Sequence, residues 1–549
     1  MRPLFSSLLA WQVLLSPAVL AWSDTPSTAT KAENQVEAQR ALDKGLDLER
    51  ARNWSGAMEV YRSALDRWPG RIEISRRLRL CEIHYKLHRR YSDQSFRNVL
   101  LRLPREQALD LYDEVLERIQ MSYVDAVPFE PLTRHGLDNL EVALRDPVFV
   151  KANADQATAE QVLGLRESLR KMRSEARAPD RASALQTAIA SAQLAQEIGV
   201  DATPVYLEFI YGACDALDDF TSYLTPDKLE DLYAMIDGNF VGLGVELKID
   251  AKGLRLVGVI RGGPAWDAGI KVGEWIVQID GRSMKGLGLD EAANRLSGSE
   301  GSLVDVGIDK GDGKVRSLKL IRRHVDVESV VGAKIVDVES GIGYLQLSGF
   351  QKTSTDELDR AIEALANQGM KTLVLDLRGN PGGLLNVAVE IADRFLDAGL
   401  IVSTRGRATG QSQAYSASGR PRWRFPLYVL VDHDSASASE ILAGALQDHH
   451  RGVVLGSRTY GKGSVQSIFS LRSAPAGLKL TTAKFYSPLD RPYSEQGVTP
   501  DIPIQARTVA KPAAGALPAE IGPGLGDPQL DSILAAAIRT AKERQPAQR

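Results

Sequence analysis

Two short segments of the chain contain residue types suited to acyl transfer. The first, Asp434-Ser-Ala-Ser-Ala-Ser-Glu440, places serines among small residues before an apolar stretch, and the second, Thr459-Tyr-Gly-Lys-Gly-Ser-Val-Gln466, sets Lys462 between two glycines. A serine hydroxyl becomes a good nucleophile when a base removes its proton. Burial lowers the pKa of a lysine and allows it to be that base. The segments therefore predict a Ser-Lys dyad, with peptide hydrolysis as the expected reaction.

These segments resemble those of the carboxyl-terminal processing proteases, also called tail-specific proteases. That family has a serine in a S-A-S-A-S-E turn, a lysine in a G-K-G loop and a glutamine four residues after the lysine. Lys462 lies 25 residues after Ser437, which is the family's interval from nucleophile to base. The resemblance implies Ser437 as nucleophile, Lys462 as general base and Gln466 as the residue that orients the lysine. It also implies an exported serine endopeptidase that acts at protein C-termini.

A third segment is suited to binding an oxyanion. The apolar run 372–377 predicts a buried strand, and it leads into the turn Arg378-Gly-Asn-Pro-Gly-Gly383. A strand–turn–helix unit presents backbone N–H groups at the turn. The resemblance implies that the N–H of Gly383, or of Gly382 if the register is shifted, pairs with the N–H of Ala438 as the oxyanion hole. A tight turn without a catalytic part is the alternative.

Residues 238–325 resemble a PDZ domain. The carboxylate-binding loop would be Val241-Gly-Leu-Gly-Val245. Glycines there free backbone N–H groups to face a terminal carboxylate, while Leu243 and Val245 would line the pocket for the last side chain. We therefore expect Gly242, Leu243, Gly244 and Val245 to bind peptide. Some family members have an arginine ligand sensor where this chain has Ser297, so activation by that route is not expected, and a PDZ domain kept as a spacer is the alternative.

The predicted fold class is multidomain α+β, with a helical N-terminal region, a PDZ β-barrel-like domain and an α/β serine protease core. A run of small and aromatic positions between Ala41 and Pro69 matches a tetratricopeptide-like repeat, with a generic helical hairpin as the alternative. The expected domains are a signal peptide (1–23), the repeat (37–100), a helical protease region (104–235) with an insertion near 146–205, the PDZ domain (238–325), the protease core (327–505) and a linker with a C-terminal helix (506–549). Residues 24–36 are polar and predict a linker.

Composition narrows the function classes. The 549 residues are 44% hydrophobic and 25% charged with a net charge of −3, which gives no electrostatic case for nucleic acid. Two cysteines form no disulfide framework, and no H-E-x-x-H cluster is present. We expect neither a cofactor nor a metal. The expected partners are proteins or peptides with accessible C-termini, and the sequence leaves open an activating adaptor protein and a homo-oligomer.

The first residues predict export. Arg2 precedes the mostly apolar run 4–20, and small residues follow at Ala21 and Ser23. The expected location is periplasmic or associated with the cell envelope. An uncleaved anchor is the alternative.

Two rivals to the Ser-Lys peptidase remain at the level of sequence. A Ser-His-Asp triad could draw on His324, His433, His449 or His450. His433 lies on the same turn as Ser437, where a base is hard to orient toward its nucleophile. A catalytically latent PDZ and tetratricopeptide scaffold in the periplasm is the other rival. The intact serine, lysine and glutamine positions favour the enzyme.

Overall fold

The computed structural model describes residues 28–250, 252–285, 289–504 and 526–544. The predicted signal peptide and nearly all of the predicted linker before the C-terminal helix lie outside the described residues. The chain divides into two compact units, Met1–Lys86 and Leu87–Arg549. No helix in the described ranges is both long enough and apolar enough to cross a membrane.

The first unit is helical. It contains α1 (Thr28–Arg50), α2 (Trp54–Arg67) and the first part of α3 (Ile72–Ser92). The first two helices cross at Gly45, where an added Cβ would lie 2.1 Å from the Tyr61 ring. The Tyr61 hydroxyl donates to Glu49 at 2.6 Å. The linker prediction for 24–36 is wrong from Thr28 onward, because Ala, Lys, Glu and Gln are helix formers even without an apolar face.

The second unit begins with a helical layer. Its elements are α4 (Gln94–Asn98), a 3₁₀ turn (Leu100–Arg102), α5 (Arg105–Ser122), α6 (Phe129–Ala143), α7 (Pro147–Asn153), α8 (Ala159–Glu175), α9 (Arg181–Gln196) and α10 (Ala202–Asp215). The predicted insertion near 146–205 forms α7 to α9. The insertion is an integral part of the helical layer, because Leu165 and Leu169 of α8 and Ala188 of α9 are buried in the same core as α5, α6 and α10.

The middle of the second unit is a small β domain beside a helix. Two elements precede this domain along the chain, β1 (Ser222–Leu224) and α11 (Pro226–Asp237). The domain and the ribbon at its ends comprise β2 (Asn239–Gly242), β3 (Val245–Asp250), β4 (Gly253–Val259), α12 (Pro264–Asp267), β5 (Trp275–Ile279), β6 (Arg282–Ser283), α13 (Leu289–Leu296), β7 (Leu303–Asp309), β8 (Val315–Ile321) and β9 (Arg323–Asp326). Strands pair in the order β3-β4-β5-β7-β8, with β6 beside β5. β2 and β9 pair antiparallel, with Asn239 opposite Asp326, so the chain enters and leaves this domain side by side.

The remaining elements form an α/β core. They are β10 (Val330–Asp337), β11 (Ile342–Leu347), α14 (Ser354–Asn367), β12 (Thr372–Asp376), α15 (Leu385–Asp393), β13 (Leu400–Gly406), β14 (Gln413–Ser416), β15 (Leu427–Val431), α16 (Ala438–Asp448), β16 (Val453–Gly456), β17 (Ser464–Ser470), β18 (Gly477–Tyr486), β19 (Ile502–Pro503) and α17 (Ser532–Arg544). One sheet has the order β10-β11-β12-β15-β16-β19, and only β10 runs antiparallel to its neighbour. A second sheet joins β1, β18, β13 and β14, with β17 also paired to β18.

The mainly parallel sheet is covered on both faces. Alternate residues of β12 point to opposite sides, so Leu373 and Leu375 pack with α14 to α16, whereas Val374 packs with α17. Parallel strands buried in this way read as continuous apolar runs, which is why β12 and β15 were predictable. The carboxyl ends of these parallel strands meet at one edge of the sheet, and the loops that carry Gly382 and Ser437 begin there.

The first turn of α14 contains a carboxylate with a tertiary role. Ser354 and Glu357 have the spacing of a capping box, but the N-cap residue is Thr353, one position earlier. Glu357 instead accepts hydrogen bonds from the N–H of Ser329 at 2.7 Å and of Val330 at 3.2 Å. The Glu357 carboxylate thereby attaches the start of β10 to helix α14. This tertiary contact competes with a role for Glu357 in capping its own helix.

Candidate active site

Ser437 lies between β15 and α16. All five residues of β15 are buried, and α16 begins immediately after the serine, at Ala438. Ser437 has φ 57° and ψ −113°, a conformation that costs a non-glycine residue on the order of 1–3 kcal/mol. Its position at the N-terminus of a helix favours negative charge developing next to it. The serine chosen by spacing is therefore the one held in a sharp strand-to-helix turn.

The neighbouring serines have structural hydrogen bonds. The Ser435 hydroxyl donates to the carbonyl of Leu377 at 2.8 Å, and the Ser439 hydroxyl donates to the carbonyl of Asn380 at 2.9 Å. Both side chains are fully buried. These bonds fasten the serine loop to the turn that follows β12, so neither hydroxyl competes with Ser437 as a nucleophile.

The glycine turn after β12 packs directly on the nucleophile. A Cβ added to Gly382, where φ is +103°, would lie 2.9 Å from Ser437 Cβ and 3.0 Å from the Ala438 nitrogen. The Gly382 N–H donates to Asn380 Oδ1 at 2.8 Å. Over the described residues, no backbone acceptor is found for the N–H groups of Gly383 and Ala438. Gly383, rather than Gly382, thus has the amide available to pair with that of Ala438.

Lys462 lies on the loop between β16 and β17 and is half-buried. Its Nζ is 4.8 Å from the centroid of the Phe220 ring. Phe220 belongs to the turn before β1, so a segment from the helical layer contacts the lysine. Among the described residues, Lys462 Nζ has no hydrogen bond to Ser437 Oγ. The side chains of the predicted dyad therefore lie on loops that Glu440 joins, with no hydrogen bond between them in the described ranges.

Glu440 connects those two loops, and sequence reasoning did not assign it a role. It is fully buried on the first turn of α16. One carboxylate oxygen accepts from the Ser437 N–H at 2.7 Å and the Lys462 N–H at 3.0 Å, and the other accepts from the Thr459 hydroxyl at 2.6 Å and the Gly461 N–H at 2.7 Å. Its place three residues after a serine N-cap is the local signal that could have drawn attention to it.

The electrostatics of the site depend on burial. Burial and the positive charge of Lys479 lower the pKa of Lys462, while Glu440 and Asp218 act in the opposite direction. Burial also raises the pKa of Glu440, although its hydrogen bonds favour the ionised form. A lowered pKa is what a lysine needs to accept a proton near neutral pH.

Over the described part of the chain, Gln466 makes no hydrogen bond to Lys462. It lies on β17, opposite Thr481 of β18. Its Nε2 donates to Ser464 Oγ at 2.9 Å and to Thr481 Oγ1 at 3.2 Å. The structure therefore places the glutamine on the sheet beside the lysine loop, with its amide turned to the strand.

The histidines considered for a triad are directed elsewhere. His433 is 80% exposed and its Nε2 is 3.3 Å from Asp434 Oδ2. His449 Nε2 lies 2.7 Å from the Leu400 carbonyl, and both His324 and His450 are exposed. In the described part of the chain, none of the four forms a hydrogen bond with Ser437.

One acidic group near the serine has the atoms of a metal site. Asp432, His433 and Asp434 bring ligand-type atoms within 4.8 Å of one another. Asp432 Oδ1, however, accepts from the N–H of Gly379 at 3.0 Å and of Ser435 at 3.0 Å. This carboxylate already joins the oxyanion turn to the serine loop.

The predicted peptide-binding loop connects β2 to β3. Gly244 has φ +72°, and an added Cβ would lie 3.2 Å from the Cα of Gly263. Leu243 is buried in the core of the small β domain, and its carbonyl accepts from the Ala265 N–H at 2.9 Å. Val245 is half-buried against the same core. The turn has the tight backbone of a carboxylate-binding loop, but Leu243 packs inward rather than lining an open pocket.

Comparison with known proteins assigns the family. Residues 341–504 match the model described as Peptidase family S41, and residues 255–310 match a PDZ domain. A carboxy-terminal-processing protease of Bartonella bacilliformis is 38% identical over 302 residues, covering 54% of this chain and 68% of the relative. A carboxyl-terminal-processing protease of Picosynechococcus sp. is 38% identical over 290 residues, covering 52% and 69%. The chain belongs to the carboxyl-terminal processing protease family.

This membership confirms the predicted fold class and the serine-type peptidase. A solved structure titled photosystem II D1 C-terminal processing protease is 27% identical and covers 72% of this chain and 93% of that chain, at a TM-score of 0.39. As a peptidase of this family with a PDZ domain, the protein acts on protein or peptide substrates.

Proposed function

We propose that this family member is an exported serine endopeptidase that captures protein C-termini with its PDZ domain and hydrolyses peptide bonds with a Ser437–Lys462 dyad. The observation that carries the proposal is the hydrogen bonding of Glu440 to the backbone of both residues. This carboxylate brings a strained serine and a half-buried lysine to one place. Such positioning converts a weak hydroxyl into an effective nucleophile.

The chemistry follows from the groups present. Neutral Lys462 accepts the proton of Ser437 as the serine oxygen bonds to the substrate carbonyl. The N–H groups of Gly383 and Ala438 stabilise the resulting oxyanion. Lys462 then donates the proton to the leaving amine as the C–N bond breaks, and water hydrolyses the acyl-enzyme.

The proposal includes a movement of the lysine side chain. Lys462 Nζ rests on the Phe220 ring, and a cation over an aromatic face favours the protonated form. Rotation toward Ser437 would leave that ring and close the dyad. Gln466, which now bonds to Ser464 and Thr481, would orient the lysine in the closed state.

Substrate capture is proposed to begin at the PDZ domain. An extended C-terminus would add beside β3, with its carboxylate at the amides of Leu243, Gly244 and Val245 and Gly242 at the entry of the loop. Since Leu243 packs inward, Val245 is the residue proposed to meet the last side chain. The tetratricopeptide-like helices are proposed to bind an activating adaptor protein. We also propose that the protein forms a homo-oligomer.

Export is proposed from the first residues of the sequence. The basic and apolar segment at 1–23 has the order of a signal peptide. Relatives from Arabidopsis thaliana are named as chloroplastic, which is a targeted location. A periplasmic or envelope location follows if the segment directs secretion.

Cleavage of an unfolded model protein with an apolar C-terminus tests the proposal. The wild type, Ser437→Ala, Lys462→Ala and the control Lys484→Ala would be compared, because Lys484 is an exposed lysine on β18. We expect loss of activity by roughly 10³-fold or more in the first two variants and normal activity in the control. Full activity in Lys462→Ala would refute the dyad. Blocking the substrate's C-terminal carboxylate as an amide should slow cleavage if capture is tail-specific.

A further inference from the structure

A second lysine lies on the active-site side of the sheet that carries β17. Lys479 of β18 is opposite Ile468 of β17, and two residues further along β18, Thr481 is opposite Gln466. Directly opposed residues and alternate residues of an antiparallel pair project from the same face. Lys479 therefore shares a face with Gln466 and Thr481.

The opposite face of β18 is occupied. Leu478 and Leu480, which flank Lys479, are fully buried in the core of the helical layer. The lysine side chain consequently cannot exchange faces without placing leucines toward the cleft. A one-residue slip would invert the whole strand.

The strand on the other edge of Lys479 leads to the base. Ser222 of β1 is paired with Lys479, and Phe220, whose ring lies 4.8 Å from Lys462 Nζ, is two residues before Ser222. The Phe220 ring beside Lys462 therefore lies just before the strand residue that pairs with Lys479. Both lysines are half-buried. Lys462 contacts the turn before β1 through Phe220, and Lys479 is paired with Ser222, the first residue of β1.

Few charges face these two ammonium groups. Asp218, on the Phe220 turn, accepts from the N–H of Phe220 at 3.0 Å and of Thr221 at 2.8 Å, and from the Tyr123 hydroxyl at 3.3 Å. Glu440 faces Lys462 from α16. In the described ranges, no carboxylate oxygen lies within 4.0 Å of either lysine, so an ion pair holds neither amino group.

We propose that Lys479 is a positioning residue for proton transfer, whose positive charge holds Lys462 in the neutral, proton-accepting form. The inference rests on the proposed Ser-Lys dyad. Lys479 exchanges no proton in the reaction: the Ser437 proton passes to Lys462 Nζ and then to the leaving amine. Repulsion between the two ammonium groups raises the free energy of protonated Lys462.

The groups around the two lysines support a lowered pKa for Lys462. Burial and Lys479 lower the pKa of Lys462. Burial also lowers the pKa of Lys479, whereas Asp218 favours its charged form. Removing the charge at 479 should therefore raise the pKa of Lys462 and delay its deprotonation to higher pH.

The test is the pH dependence of kcat/KM for a short peptide substrate. We expect the acidic limb of Lys479→Met to move up by about one pH unit, with about ten-fold lower activity below the limb and the wild-type plateau above it. Lys479→Arg should keep the wild-type limb, and Lys484→Met, on the same strand but exposed, should also keep it. If Lys479→Met does not fold, Lys479→Gln replaces it.

The outcomes separate the two proposals. The role of Lys479 is overturned if the acidic limb of kcat/KM in Lys479→Met stays at the wild-type pH, or if only the plateau falls. The dyad stands in either case as long as Lys462→Ala is inactive. Full activity in Lys462→Ala overturns the dyad and this inference together. The rate at which a fluorophosphonate labels Ser437, measured across pH, should show the same displacement, because labelling requires the same deprotonation.

Discussion

At the scale of single residues, Glu440 joins the two loops that carry the proposed dyad. It is fully buried and has four donors around two oxygens. In Glu440→Gln, an amide NH₂ would face N–H groups that need an acceptor. We expect the free energy of unfolding to fall by about 2 kcal/mol and kcat to fall by about ten-fold or more.

Chemical denaturation and steady-state kinetics would measure both effects. Glu363→Gln is the control, since Glu363 on α14 is exposed and pairs only with Arg422 at the surface. A Glu440→Gln protein with unchanged kcat would show that the loops do not depend on this carboxylate.

Gly382 is a second position at which the addition of a single carbon atom should reduce activity. An added Cβ would lie 2.9 Å from Ser437 Cβ, and φ is +103°. We expect Gly382→Ala to reduce kcat by roughly 10²-fold or more, with a smaller effect on KM, because the oxyanion turn would be displaced. Gly410→Ala is a matched control, since Gly410 has φ +86° but open space around an added Cβ. Equal losses in the two variants would attribute the effect to backbone strain rather than to contact with the nucleophile.

At the scale of elements, α17 supports the strand that carries the oxyanion turn. Arg378, which follows β12, bonds to Asp376 at 2.6 Å and to Asp531, beside the start of α17, at 2.5 Å. The Tyr344 hydroxyl donates to Asp376 at 2.8 Å. The C-terminal helix thereby reaches the active-site turn through one arginine.

This network predicts a pH-dependent contribution to stability. Burial opposes ionisation of Asp531, but hydrogen bonds and charge from Arg378 more than offset it, so the pKa of Asp531 is lowered. The stabilisation is present above the ordinary carboxyl pKa of about 3.9 and is lost as pH falls through the lowered value. Asp531→Asn should lower Tm by about 2–4 °C at pH 7 and by progressively less below pH 4. Glu543→Gln, on the exposed side of α17, should change Tm little at any pH; a constant Asp531→Asn deficit down to pH 2 would contradict the linkage.

Sequence reasoning reached the elements whose signals are local. The strand β12 was predicted because burial on both faces of a parallel strand leaves a continuous apolar run in the sequence. The tertiary role of Glu440 was not predictable, because its partners at Thr459 and Gly461 are distant in sequence. Likewise, the position of Glu357 suits a cap of its own helix, and only the fold shows that its carboxylate accepts from the N–H of Ser329.

At the scale of the whole second unit, the PDZ domain is an insertion with adjacent ends. Asn239 pairs with Asp326, and Gly242 with Arg323, on an antiparallel ribbon. Joining Phe240 to Val325 by a short Gly-containing turn should therefore remove the domain without moving the core. We expect this variant to cleave short peptides at near wild-type kcat and to lose its preference for a free over an amidated C-terminus.

The measurement is the ratio of kcat/KM for the two forms of one peptide. The intact chain with Val245→Asp, which charges the proposed pocket but keeps the domain, serves as the comparison. If the excised enzyme retained the preference, tail recognition would have to lie in the protease core.

The left-handed backbone of Ser437 sets activity against stability at a single position. A glycine would adopt φ 57° without strain, and the strain removed, on the order of 1–3 kcal/mol, exceeds the roughly 0.5–1 kcal/mol entropic cost of glycine. Ser437→Gly should consequently be more stable than Ser437→Ala, although both lack the nucleophile. The proposed nucleophile is therefore held in a backbone conformation that lowers the stability of the fold. An inactive form intended to trap bound substrates would be more robust with glycine at 437 than with alanine.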